Sequence, residues 1–308
     1  MVKDEYDIND IYKIDIKDKL DKRKVLIIIF SVIALILIYI VALKSIQIMN
    51  QNKIYKQYES QIIALQKAEQ DRIAQIEAEK ERIRKERNPN LTEVGKENIS
   101  NVYKSETKRV FLTFDDGPST VTPIILDTLK QENIKATFFV LGSRVDVMPD
   151  MVKKMYEEGH YVANHGYSHL YSSVYESPQS VLDEYNRCND SVRNAIGVSD
   201  YNSHLFRFPG GLVGGKYADI KNEAKELLLQ NNIVNVDWNS LNGDAETNDL
   251  TPEFELQRLR ETTENKNSIV ILMHDAPAKK VTAETLPQII TYLKEQGYEF
   301  KTFYEIIK

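Results

Sequence analysis

Val110-Phe111-Leu112-Thr113-Phe114-Asp115-Asp116-Gly117-Pro118 decides how the rest of the chain is read: an apolar, β-rich run stops abruptly at two adjacent carboxylates. Neighbouring side chains on a regular strand point to opposite faces, so Asp115 and Asp116 can serve one site only where the strand is ending. Gly117 and Pro118 mark that end. The same Asp-Asp-Gly-Pro is equally the composition of a plain turn, so partners elsewhere in the chain must settle the matter.

Downstream, apolar β-rich runs alternate with amphipathic stretches. Strands are expected at 110–114, 136–141, 161–163, 205–208, 233–238, 269–273 and 298–303, and helices near 123–131, 149–158, 180–195, 220–229, 252–263 and 284–295. This alternation gives an α/β class with a parallel sheet, open or closed into a barrel. Ligand chemistry in such folds sits at the C-terminal ends of the strands.

The third run ends in Asn164-His165-Gly166-Tyr167-Ser168-His169. Two histidines four apart on a loop are either metal ligands or, as neighbouring histidines more often are, hydrogen-bonded structural residues. A carboxylate from the first strand end would complete a two-histidine, one-carboxylate site with open positions for water. The fourth run ends in Arg207-Phe208-Pro209-Gly210-Gly211, the fifth in Val236-Asp237-Trp238 and the sixth in Leu272-Met273-His274-Asp275. Arg207 offers a donor fork suited to a carboxylate, and the paired glycines let backbone approach a ligand. The chain has 5 histidines; three stand at strand ends, while His160 and His204 read as structural or surface residues.

The 308 residues suffice for one large domain or two small ones. Composition is ordinary, 42% hydrophobic and 28% charged, and the net charge of -6 argues against a general nucleic-acid binder. Cys188, the single cysteine, can form no internal disulfide and reads as an inert thiol on a helix.

Upstream, residues 25–43 form an uncharged apolar run of about the length a bilayer core requires. Lys22, Arg23 and Lys24 precede it and only Lys44 follows directly, so the expectation is a single-pass transmembrane helix, with residues 1–24 as a cytoplasmic tail and the rest extracellular in the cell membrane. No A-x-A-like cleavage site supports the competing reading, a removed signal peptide. Residues 44–88, without glycine or proline until Pro89, are expected as a helical stalk, able to span on the order of 60 Å. Its heptad pattern is interrupted by Glu69, Arg72 and Glu79, which favours a solvated spacer over a coiled coil or a weak stalk-mediated oligomer. Residues 89–108 read as a polar linker and 109–308 as a globular domain.

Thr113-Phe114-Asp115-Asp116-Gly117-Pro118, His165-x-x-x-His169, Arg207-Phe208-Pro209-Gly210-Gly211, Asp237-Trp238 and Leu272-x-His274 together resemble the five ordered motifs of the polysaccharide deacetylases, the NodB homology domain of carbohydrate esterase family 4. The resemblance implies a distorted (β/α)7–8 barrel over 109–308 and a divalent metal, usually zinc and in some members cobalt, nickel or manganese. It further implies that Asp116, His165 and His169 hold the metal and that Asp115 is the general base. Arg207 would orient Asp115, His274 would be the general acid, and Asp237 would fix His274 and favour its protonated form. A metal so held activates water and polarises an acetyl carbonyl, while the unligated aspartate takes the water proton and the histidine protonates the leaving amine. Two positions depart from the pattern: Gly166 stands where members commonly have a loop-bracing Ser or Thr, and Gly210 where many have Tyr.

The expected function is a hydrolase of non-peptide carbon–nitrogen bonds, removing N-acetyl groups from the N-acetylglucosamine of peptidoglycan. N-acetylmuramic acid, poly-N-acetylglucosamine, chitooligosaccharide and xylan are the alternative polymers. A non-haem iron oxygenase shares the ligand set, but strand–helix alternation, Asp115 and His274 speak against it. A catalytically silent wall-binding scaffold is the third class, disfavoured by intact candidates for every catalytic role.

Overall fold

The computed structural model describes residues 22–46, 52–88 and 90–307; most of the expected cytoplasmic tail lies outside the described residues. The chain divides into two compact units, Met1–Glu77 and Ala78–Lys308.

The first unit holds α1 (Lys22–Ile46) and most of α2 (Asn52–Arg87). Among the described residues no helix is long and apolar enough to cross a membrane. That finding corrects the transmembrane segment expected at 25–43, and with it the cytoplasmic N-terminus and the extracellular placement of the catalytic domain. α2 is unbroken, as the lack of glycine and proline dictates. Glu69 and Arg72, on the heptad seam, pair with each other at 2.8 Å, and Leu65 is 70% exposed. Neither a coiled coil nor a stalk-mediated oligomer draws support from this surface.

The second unit begins with the last turns of α2. There Arg84 pairs with Asp200 at 2.7 Å, and Arg87 Nη1 donates to the carbonyls of Tyr156 and Glu157 at 2.6 and 2.9 Å. The expected solvated spacer thus ends as a docked helix. The expected linker, 89–108, also differs: it contains α3 (Glu93–Ser100), capped by Thr92, and buries Leu91, Ile99 and Val102 with Phe111, Phe303 and Ile307. Leu91 and Ile99 lie too far apart in sequence to show as a periodic face.

The body of this unit runs β1 (Arg109–Asp115), α4 (Thr122–Gln131), β2 (Thr137–Val140), α5 (Gly142–Val147), α6 (Pro149–Glu157), β3 (Tyr161–Asn164), α7 (Tyr171–Val174) and α8 (Pro178–Ile196). It continues through β4 (Leu205–Phe206), α9 (Ala218–Gln230), β5 (Val234–Asn235), β6 (Ser240–Leu241), α10 (Pro252–Thr263), β7 (Ser268–His274), α11 (Lys280–Glu295) and β8 (Glu299–Phe300). Several boundaries follow from caps visible in the sequence: Ser177 and Thr251 each accept a backbone N–H ahead of a proline, and Gly197 closes α8 with φ 72°.

Every strand pairing is parallel, in the order β5-β4-β3-β2-β1-β7-β6, with β8 beside the start of β1. The sheet curls into a half-barrel; among the described residues no ladder joins β5 to β6. Burial follows strand alternation. Val110, Leu112 and Phe114 face the layer of α4, α6, α8 and α11, while Phe111 faces the inner cluster with Phe139, Tyr161 and Val270. Thr113 and Asp115 continue the inner row. Cys188 is buried on α8, its thiol against the Val140 carbonyl and pushed up in pKa by burial, as an inert thiol should be.

Candidate active site

Asp115 closes β1 on the inward face, and Asp116 takes φ 73°, in the left-handed region, which re-aims its carboxylate to the same side. The strand end thus brings both aspartates to one site. Gly117 cannot carry a side chain: a Cβ there would lie 2.0 Å from an Asp275 carboxylate oxygen. Asp275, fully buried, is held by Thr122 at 2.6 Å and pushed up to about 7 by burial.

His165 leaves β3 buried, with Nδ1 2.7 Å from the Arg207 carbonyl. A carbonyl only accepts, so Nδ1 carries the proton and Nε2 presents its lone pair, 3.6 Å from Asp116 Oδ1. Burial depresses the His165 pKa to about 3, so the ring is neutral and competent to ligate at neutral pH. His169 adopts φ 58° and sets Nε2 3.4 Å from the same Asp116 oxygen. One ligand atom from each of Asp116, His165 and His169 lies within 4.8 Å of the others, and Asp116 Oδ1 is buried with no hydrogen-bond partner. An orphaned carboxylate oxygen facing two imidazole nitrogens fits a divalent metal.

The histidine loop is braced without a hydroxyl at position 166. Glu184 of α8 accepts from the backbone N–H groups of Tyr167 and Ser168, at 2.6 and 2.7 Å, and from the Ser168 hydroxyl at 2.8 Å. Gly166 itself sits at φ 86°, where a side chain is strained, and donates to Asn164 Oδ1 at 2.9 Å. Ser168 therefore supplies the hydroxyl that Gly166 lacks.

Arg207 is fully buried. Its Nη1 donates to Asp115 Oδ1 at 2.8 Å and to Thr113 Oγ1 at 2.7 Å, its Nε to the Val236 carbonyl at 2.9 Å, and its Nη2 to the Asp237 carbonyl at 3.0 Å. Burial raises the Asp115 pKa above its ordinary value, against the opposing charges of Arg207 and His274. The register of β1 and β7 sets Asp115 directly beside His274.

One expected partnership is corrected. Asp237 does not hold His274; its carboxylate accepts the Leu212 N–H at 3.0 Å, because the chain turns after β5 toward the Gly210-Gly211 loop. The partner of His274 is Asp244, which follows β6 and accepts from Nδ1 at 2.7 Å and from the His274 backbone N–H at 2.8 Å. Burial alone would lower the His274 pKa, but the Asp244 hydrogen bond and charge, with Asp115 and Asp116 beyond, push it up to about 9. Asp244 stands after Asn242-Gly243, an acid next to a turn glycine as in the Asp115–Gly117 stretch; that was the available signal. Glu184 is one acid among several on a helix and carries none. His160 and His204 are structural: the first accepts from the Ala136 N–H at 3.1 Å, and the second lies 2.8 Å from the Asn232 carbonyl.

Comparison with known proteins agrees with this architecture. The polysaccharide deacetylase family model matches residues 103–230. A peptidoglycan-N-acetylglucosamine deacetylase of Bacillus cereus is 32% identical over 241 residues, 77% of this chain and 81% of that protein. A peptidoglycan-N-acetylglucosamine deacetylase of Listeria monocytogenes is 37% identical over 68% of this chain, which spans 41% of that longer protein. The solved structure of a Streptococcus mutans CE4 esterase superposes with a TM-score of 0.61 at 31% identity, covering 70% of this chain and 99% of that one. With the site's geometry, these similarities establish that the chain belongs to the polysaccharide deacetylase family of carbohydrate esterase family 4 hydrolases.

Proposed function

We propose that the protein is a metal-dependent deacetylase removing N-acetyl groups from the N-acetylglucosamine of cell-wall peptidoglycan. The observation that carries this reading is the division of labour between adjacent aspartates. Asp116 belongs to the cluster with His165 and His169, whereas Asp115 stands beside that cluster held by Arg207 at 2.8 Å. A divalent ion held by Asp116, His165 and His169, zinc first and cobalt, nickel or manganese as alternatives, would supply an activated water and polarise the acyl oxygen. Asp115 has one oxygen fixed by Arg207; the other, 3.9 Å from His165 Nε2, is free to take the water proton. Burial makes it a stronger base than an exposed aspartate. His274, kept protonated by Asp244, donates from Nε2 to the departing amine. Asp237 shapes the Arg207-to-Leu212 loop instead of tuning the acid.

The names of the Bacillus and Listeria relatives support the choice of polymer. Purified full-length protein loaded with zinc or cobalt should release acetate from peptidoglycan, with mass spectrometry placing the loss on glucosamine. Release from neither peptidoglycan nor chitooligosaccharides overturns the reading; loss from muramic acid alone changes the sugar.

A further inference from the structure

We infer that Arg144 is an anion subsite beside the catalytic centre, taking a carboxylate that the substrate carries on the sugar adjoining the deacetylated one; this rests on the deacetylase reading above. The residues lining a cleft of about 460 Å³ include Asp116 and His169 together with Leu141, Ser143, Arg144 and Val147. It exceeds what an acetyl group and a water occupy, so a neighbouring sugar substituent has room there. Arg144 is the only lysine or arginine lining it.

The backbone beneath Arg144 is locked to both ligand loops. Leu141 N–H donates to the Gly117 carbonyl at 2.9 Å, Gly142 N–H to that of Gly166 at 3.0 Å, and Ser143 N–H to that of Tyr167 at 3.0 Å. The backbone that carries Arg144 is therefore fixed relative to the loops bearing Asp116, His165 and His169. Arg144 is exposed, and among the described residues no carboxylate pairs with it. The acid nearest in sequence, Asp146, accepts instead from the Tyr167 hydroxyl at 2.9 Å, and the Tyr167 ring lies 3.5 Å beneath Arg187. A planar donor fork left open on a rigid rim matches a carboxylate in bidentate geometry. Val147 beside it is 77% exposed and offers apolar surface to the methyl group of a lactyl or alanyl substituent.

Two carboxylates of that chemistry occur on such a polymer, a free lactyl carboxylate of muramic acid and the carboxylates of a peptide stem, and the test separates them. Binding of full-length, zinc-loaded protein and of Arg144→Gln is measured by calorimetry with three oligosaccharides: neutral chitotetraose, glucosamine–muramic acid oligomers with free lactyl groups, and the same oligomers bearing peptide stems. Loss of one charge-assisted contact should weaken binding of a carboxylate-bearing oligomer about five- to thirtyfold and leave chitotetraose within about twofold. The arm that weakens names the carboxylate, and Arg144→Glu should widen the gap. Equal weakening on chitotetraose, or no weakening on either anionic oligomer, overturns the subsite. Selective weakening in a protein that releases no acetate would retain the subsite and remove the deacetylase reading.

Discussion

Two neighbouring aspartates can fail in different ways because the backbone turns between them. Asp115 keeps strand geometry and its bond to Arg207, while Asp116, at φ 73°, faces the histidines. Asp115→Asn should retain zinc by elemental analysis yet lower kcat by about 10² to 10⁴. Asp116→Asn should weaken zinc binding by more than about tenfold in a chelator competition, with activity partly restored at high metal. His274, the proposed acid, yields a pH prediction. His274 is pushed up to about 9, so it stays protonated through neutral pH and loses its proton as pH rises through that value; kcat/KM should fall on that alkaline side. Asp244→Asn removes the hydrogen bond and charge that oppose burial, so the alkaline limb should move at least about one unit lower. An unmoved limb would show that a group other than His274 titrates there. By the same linkage, the stabilisation from this pair is full below the ordinary histidine value and is lost as pH rises through about 9.

Helix α8 shows how an element far away in sequence braces the histidine loop. Glu184 gathers three donors from Tyr167 and Ser168, so Glu184→Ala leaves two backbone N–H groups unpaired next to His169. Metal affinity should drop about 10- to 100-fold with the fold retained by circular dichroism; unchanged affinity would mean the loop is held by the sheet alone. Glu184 also illustrates why part of the site could not be read from sequence. Motif residues announce themselves by standing at strand ends, as Asp115, His165, Arg207 and His274 do. A bracing carboxylate on an amphipathic helix looks like any solvated acid, and its role exists only after α8 packs. Long elements were readable for the converse reason: α10 begins at a capped proline and β7 is a continuous apolar run. α5, α7 and β6 are too short to show a period, and α3 packs through residues scattered over 91–102, so these appear only in three dimensions. The side of the sheet that Asp244 approaches depends on β6, which explains the misassigned partner of His274.

Across the whole half-barrel, Arg207 ties the strands together as well as holding Asp115. The sheet ends at β5 on one side and β6 on the other, and the segment between them, 236–239, lacks a full ladder of its own. From the end of β4, Arg207 reaches the carbonyls of Val236 and Asp237 there and, across the barrel interior, Thr113 and Asp115 of β1. Its guanidinium also lies 4.0 Å over the Phe139 ring of β2. One buried cation thus ties three strands to the open edge. Arg207→Met strands the Asp115 carboxylate in a dry interior and should cost about 3 to 5 kcal/mol in denaturant unfolding, well beyond an effect on catalysis alone. Adding Asp115→Leu removes the stranded charge, so the double variant should recover most of that stability while remaining inactive. Recovery without activity would show that the destabilisation came from the unpaired carboxylate. If the double variant is as unstable as Arg207→Met, the carbonyls of Val236 and Asp237, left without their donor in both proteins, are what the arginine chiefly secures.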